Sequence, residues 1–144
     1  MALINNKQNL IDYFQQGCKR EDQLSVGVEH EKFLFDGNSN KRINFETISK
    51  IFNYLEKFGW KPIREKINVI ALKRKGQSIT LEPGNQVELS GATLKSIHSA
   101  CNESYQYLHE LRKACKNFNI KMMSVSFDPF TRLESVPKTP KERY

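Results

Sequence analysis

No run of apolar residues in this chain is long enough to span a bilayer. The first twenty residues, with Asn, Gln and a Lys scattered through them, also lack the apolar core of a secretory signal. These two absences favour the cytosol and leave no membrane partner. Cysteine is scarce: Cys18, Cys101 and Cys115 make an odd number in a chain without an export signal, so free thiols are expected. Cys101 and Cys115 fall in one predicted helix, about 21 Å apart at 1.5 Å per residue, too far for a bond within it. No cysteine spacing resembles a zinc site. Repeats and low-complexity tracts are missing too, which excludes fibrous, collagenous and wholly disordered classes. What remains is 144 residues, 38% of them hydrophobic, enough for one ordinary domain with a modest core.

Charge is plentiful and of mixed sign. The net charge is +7, but the basic residues come in small groups (Lys19-Arg20, Lys41-Arg42, Lys73 to Lys75, Arg112-Lys113, Lys138 to Arg143) with acids interleaved through much of the chain. A continuous basic stripe with stacking aromatics is not visible, which speaks against nucleic acid as a partner. The same charge could draw in an anionic substrate such as a nucleotide.

The pattern of elements is mixed α and β. Residues 7–16 predict a short helix stopped at Gly17, and residues 24–35 a first strand ending at the turn Asp36-Gly37-Asn38. From Asn44, a good N-cap, the stripe Phe45, Ile48, Ile51, Phe52, Leu55 and Phe58 predicts a helix closing at Gly59. Strands are expected over 60–64 and 68–73, then over 78–81 and 87–89 as a hairpin turning at Pro83-Gly84-Asn85. The longest helix follows Gly91, with Leu94, Ile97, Cys101, Tyr105, Leu108, Leu111, Cys115 and Phe118 on its core face. His98 and His109 read as surface or packing residues. A last strand is expected over 121–127, and residues 128–144, holding three of the five prolines, read as a loop-like tail. A chain that stops there, just after a strand, looks interrupted, as though it were the front part of a larger protein.

Four carboxylates stand out because they sit in strand-like, largely uncharged surroundings. In Gly27-Val28-Glu29-His30-Glu31-Lys32-Phe33, strand alternation turns Glu29 and Glu31 to one face and Val28 and His30 to the other. Two like charges that close repel one another unless a cation lies between them, and a hard ion such as Mg2+ takes oxygen ligands of this kind. An edge strand with its Glu face in water satisfies the same pattern. In Leu81-Glu82-Pro83-Gly84-Asn85-Gln86-Val87-Glu88-Leu89-Ser90-Gly91 a hairpin would hold Glu82 and Glu88 near its turn, with Gln86 between them as a neutral donor and acceptor. A solvated hairpin tip is the plainer reading of those residues.

Taken together and in order, several segments resemble the plant and proteobacterial type of glutamate-cysteine ligase. They are residues 27–33, Ser78 to Ala92, the helix opening Leu94 to Cys101, and Pro140-Lys141-Glu142-Arg143-Tyr144. Members of that family are much longer, so residues 1–144 resemble only the N-terminal part of a single catalytic domain, truncated at its C-terminus. The resemblance implies an α+β, glutamine-synthetase-like carboxylate-amine ligase fold: an antiparallel sheet bearing the active site on one face, with helices packed on the other. It also implies an ATP-dependent reaction in which the side-chain carboxylate of glutamate is phosphorylated and the amine of cysteine displaces phosphate, the first step of glutathione synthesis. By similarity Glu29, Glu31 and Glu88 become Mg2+ ligands with Glu82 a fourth, Gln86 orients substrate, and Arg143 faces an anionic group. Residues that contact ATP and cysteine further along that family's chains are missing, so the chain alone is expected to be inactive.

The family usually has Gly-Gly-Gln-Phe-Glu where this chain has Gly84-Asn85-Gln86-Val87-Glu88, and often Thr and Gly where Val28 and Leu34 stand. Asn tolerates the left-handed conformation better than most residues, so the turn is expected to survive. Substrate choice stays open, because related ligases join glutamate to other amines. A non-catalytic basic binding module is the third reading.

Overall fold

The computed structural model describes residues 3–142. Its frame is one six-stranded, wholly antiparallel sheet of order β2-β3-β4-β5-β1-β6. The strands are β1 (Glu29–Asp36), β2 (Lys61–Glu65), β3 (Asn68–Arg74), β4 (Gln77–Glu82), β5 (Gln86–Ser90) and β6 (Ile120–Met123). Helices α2 (Phe45–Leu55) and α3 (Ile97–Asn117) pack on one side of it, and a short helix, α1 (Lys7–Gly17), precedes the sheet. This is the α+β arrangement expected, with helices on a single face.

The local choices follow from sequence. Asn44 caps α2, its side-chain oxygen accepting from Thr47 N at 3.0 Å, and the helix buries Ile48, Ile51, Phe52 and Leu55. A 3-10 turn then runs to Gly59, whose φ of +86° ends it as a left-handed cap. β3 and β4 are joined by two residues, Lys75 and Gly76, both at positive φ, the hairpin geometry that matches strand twist. The core fills the space between sheet and helices with Leu34, Leu72, Ile79, Leu81, Val87 and Leu89 against the α2 residues and Leu111.

Three expectations require correction. The first strand starts at Glu29, not at residue 24; among the described residues upstream of it, only Val26 makes a single bridge, to Leu94. β6 stops at Met123, leaving Val125 and Phe127 exposed, because the chain there leaves the sheet edge and turns so that Asp128 reaches Arg42. The buried face of α3 is rotated from the expected stripe in its first half: Ile97, Cys101 and Tyr105 are exposed, whereas Ala100, Glu103, Tyr107 and Glu110 are buried. Counting apolar residues fails there because two acids occupy core positions with their charges satisfied. Glu103 accepts from Ala92 N at 3.1 and 3.2 Å. Glu110 accepts from Trp60 Nε1 at 2.8 Å and pairs with Arg74 at 2.9 Å.

The three cysteines are free thiols, as expected, and burial pushes the Cys115 thiol up to about 12. The tail is not a bare loop: it forms a 3-10 turn at Leu133–Ser135 and buries Thr139. Among the described residues no helix is long and apolar enough to cross a membrane.

The Tyr107 hydroxyl lies in this core without a hydrogen-bond partner among the described residues, and burial raises its pKa well above the usual tyrosine value. An unsatisfied buried hydroxyl costs about 1 to 3 kcal/mol. Tyr107→Phe removes it while keeping the ring, so urea unfolding of the variant should show unchanged or higher stability, by about 1 kcal/mol. A loss of more than that would mean the hydroxyl has a role in the native state.

Candidate functional site

The face of the sheet opposite the helices collects the four acids. His30 identifies the helix side, since its Nε2 lies 3.0 Å from the Ser104 hydroxyl on α3; Glu29 and Glu31 therefore project from the other side. Burial and Lys32 next to it hold the His30 pKa below its ordinary value. Strand register brings the second motif to the same face: Glu31 stands directly opposite Glu88, Glu29 opposite Ser90, Thr80 opposite Glu88 and Glu82 opposite Gln86. Residues paired directly across antiparallel strands share a face, with Cβ atoms about 4.5 to 5.5 Å apart. The two motifs, separated by some fifty residues of chain, thus form one patch.

The hairpin tip is held from three directions. Gly84 and Asn85 both adopt positive φ, +75° and +57°. A side chain on Gly84 would also strike Val136 Cγ1 at 2.7 Å, so this position needs glycine twice over. Asn85, where glycine is usual in the resembling family, keeps the turn and adds to it. Its side-chain amide donates to Ile43 O at 3.3 Å, and its backbone N–H donates to Thr139 Oγ1 at 3.0 Å. Thr139 in turn donates to Glu82 O at 3.0 Å. The tail is therefore a clamp on the turn that carries Glu82 and Gln86.

The polar groups of the patch satisfy one another without neutralising charge. Gln86 Nε2 donates to Glu31 Oε2 at 2.7 Å, and Ser90 Oγ donates to Glu88 Oε1 at 2.7 Å. Neither Glu29, Glu31 nor Glu88 takes part in an ion pair among the described residues. Like charges directly opposite each other on a sheet are destabilising. An arrangement that keeps them there, flanked by neutral amide and hydroxyl oxygens, offers the donor type that a hard cation takes. The side chains are not gathered as they stand: among the described residues no three His, Cys, Asp or Glu side chains form a group able to hold a metal ion.

Of the residues expected in a site, Glu29, Glu31, Glu82, Gln86 and Glu88 share this face, and Arg143 lies outside the described residues. Ser90 and Thr80 join them without having been singled out. The signal was present, because period-two alternation from Gln86 and Glu88 puts Ser90 next on the same side.

Comparison with known proteins adds a second line of support. The model of glutamate-cysteine ligase family 2 (GCS2) matches residues 25–144. The chain is 40% identical over 139 residues to the chloroplastic glutamate-cysteine ligase of Medicago truncatula and 37% identical over the same length to that of Arabidopsis thaliana. It is 40% identical to the chloroplastic glutamate-cysteine ligase A of Oryza sativa subsp. japonica. In each case 96% of this chain is covered but only 27 to 28% of the relative, so the chain spans about a quarter of the length of the relatives it matches. The expectation of a cytosolic protein is overturned here, since all three relatives are named as chloroplastic. That expectation rests on the lack of an apolar export signal, and plastid targeting uses polar, Arg- and Ser-rich segments that such a test does not register. On the family match and on identities sustained along nearly its whole length, the chain belongs to glutamate-cysteine ligase family 2.

Proposed function

We propose that this chain supplies the metal-holding face of an ATP-dependent carboxylate-amine ligase that joins the γ-carboxylate of glutamate to the amine of cysteine, the first step of glutathione synthesis. The observation that carries the reading is Glu31 set directly opposite Glu88, with Glu29, Glu82 and Gln86 on the same face. The sheet with its helices on one side is then the front part of a glutamine-synthetase-like fold, and the chloroplastic relatives favour a plastid as its compartment.

The reaction brings polyanionic ATP against the carboxylate of glutamate. The γ-phosphoryl group passes to a carboxylate oxygen, ADP leaves, and the amine nitrogen then attacks the acyl carbon as phosphate departs and the amine proton is released. Phosphoryl transfer of this kind depends on positioning and charge neutralisation more than on covalent help from the protein. Glu29, Glu31 and Glu88 are the residues that would hold Mg2+, with Glu82 at the edge of the set, and a bound ion would supply positive charge to offset the anionic oxygens of both substrates. The chain's own contribution is to fix these carboxylates. Paired strands set their spacing, Gln86 and Ser90 orient Glu31 and Glu88, and the Thr139 clamp steadies the turn. The unbonded capacity of the Gln86 amide is available to substrate.

The test is ADP release by the ligase that contains this segment, supplied with ATP, Mg2+ and glutamate, on addition of cysteine. Cysteine-dependent release is expected. Release with a different amine but not with cysteine would keep the chemistry and overturn the acceptor; no amine-dependent release at all would overturn the reading.

A further inference from the structure

We infer, on the metal-holding role proposed above for the acids, that Thr139 is a positioning residue for Glu31 and that seating of the tail and cation binding are coupled through it. Thr139, only 7% exposed, bonds both ends of the turn Pro83–Asn85. Its hydroxyl accepts from Asn85 N at 3.0 Å and donates to Glu82 O at 3.0 Å, with Asn85 Oδ1 at 3.1 Å as the alternative acceptor. Gln86 follows the turn directly, stands opposite Glu82, and donates from its side-chain amide to Glu31 Oε2 at 2.7 Å. One tail hydroxyl thus closes the end of the hairpin whose first outward side chain orients Glu31.

The turn depends on such outside partners, because Asn85 at φ +57° occupies a region that a residue with a Cβ enters only at a cost. The tail is fastened on both sides of Thr139. Upstream, Asp128 pairs at 2.9 Å with Arg42, which also donates to Gly84 O. Downstream, Lys141 donates to Leu81 O, and the Glu142 N–H donates to Glu65 Oε2 at 3.0 Å. A tail held at these points keeps the Thr139 hydroxyl pressed against the turn. On the helix side Leu81, Val87 and Leu89 are fully buried, so the strands stay paired when the turn loosens. What shifts is the outward end, Gln86 and the carboxylate it bonds. Released from Gln86, Glu31 swings away from Glu88, as two opposed like charges favour, and a cation loses a preset ligand. Linkage makes the coupling reciprocal: a cation that fixes Glu31 against Gln86 also holds the tail down.

Thr139→Val keeps the size of the side chain and removes the hydroxyl, whereas Thr139→Ser keeps the hydroxyl and serves as the rescue. In EDTA, where no metal takes part, the NMR signal of the Gln86 side-chain amide should shift in Thr139→Val and stay in place in Thr139→Ser. Titrated with Mg2+, Thr139→Val should bind roughly three- to tenfold more weakly than the wild type, the factor that one hydrogen bond is worth, and Thr139→Ser should bind like the wild type. Mg2+ should also slow hydrogen exchange at the Asn85 amide in the wild type, and less so in Thr139→Val. Ile48→Val, in the core under α2, is the control for lost stability: it should lower the melting temperature and leave Mg2+ affinity unchanged. An unmoved Gln86 signal with unchanged Mg2+ affinity in Thr139→Val would overturn the positioning role and leave the metal-holding face intact. Equal weakening by Ile48→Val would reduce Thr139 to a stabilising contact and overturn it too. No Mg2+ binding by the wild type would overturn the metal-holding role itself, and the coupling with it.

Discussion

Replacing Arg42 with Ala is expected to destabilise the chain by about 3 to 5 kcal/mol, the range for breaking one side of a buried ion pair, and to lower the melting temperature by roughly 10 °C. The guanidinium, only 4% exposed, is the junction of three parts of the fold. It pairs with Asp128 at the start of the tail at 2.9 Å, donates to Gly84 O in the hairpin turn, and lies over the rings of Phe33 at 4.6 Å and Phe35 at 5.8 Å. Phe130 completes the cluster, edge-on to Phe35 at 6.0 Å. Removing the side chain leaves a buried carboxylate and a carbonyl unpaired and uncovers two rings of the sheet face. A lysine in its place would restore charge without the planar fork that reaches two acceptors, so Arg42→Lys should recover only part of the loss. Differential scanning calorimetry of both variants checks the order; an Arg42→Ala variant that melts like the wild type would show that the tail is not fastened there.

Asp128 carries the pH signature of the same junction. Partial burial alone would raise its pKa, but hydrogen bonds from the Thr131 hydroxyl, from the Phe130 and Thr131 amides and from Arg42 outweigh it and hold the carboxyl at about 2, below the ordinary 3.8. A depressed carboxyl stabilises the fold fully above its unfolded pKa and loses that contribution as pH falls through its folded one. Stability should therefore decline between about pH 4 and pH 2, and Asp128→Asn should flatten that part of the curve.

How much of this was legible beforehand depended on the kind of signal. The start of α2 and the stop at Gly59 could be read because three independent cues agree, the Asn44 cap, the apolar stripe and Gly59, although the α-helix itself ends at Leu55 and the last turn is 3-10. The common face of Glu29, Glu31, Glu82 and Glu88 was legible in halves, since alternation fixes the face within each strand while only register joins them. α3 was misread where Glu103 and Glu110 replace apolar residues in the core, because their partners, the Ala92 amide, Trp60 and Arg74, are distant in sequence. The tail was underestimated for the same reason. Its contacts through Asp128 and Thr139 are long-range and polar, and neither periodicity nor propensity records them.

Glu31→Gln is expected to move stability and metal binding in opposite directions. Without metal, Glu31 faces Glu88 across paired strands with neither in an ion pair among the described residues. Cross-strand pairs are worth about 0.2 to 1 kcal/mol, so removing one of two opposed charges should stabilise the metal-free chain by a few tenths of a kcal/mol. The amide can still meet Gln86, so little packing is lost. The same change removes a charged ligand from the set proposed to hold Mg2+, and ligase turnover should fall by at least about a hundredfold, the scale of losing one charge-stabilising group in a transition state. Glu88→Gln should behave alike, and the double variant should gain little further stability, because the repulsion is already gone after the first substitution. Glu46→Gln, on the solvent side of α2, serves as the control for a general charge effect. Urea unfolding in EDTA and in Mg2+ separates the two effects: Mg2+ should stabilise the wild type and neither Gln variant. If Glu31→Gln lowers stability in EDTA while Mg2+ still stabilises the variant, the acids are structural and the metal lies elsewhere.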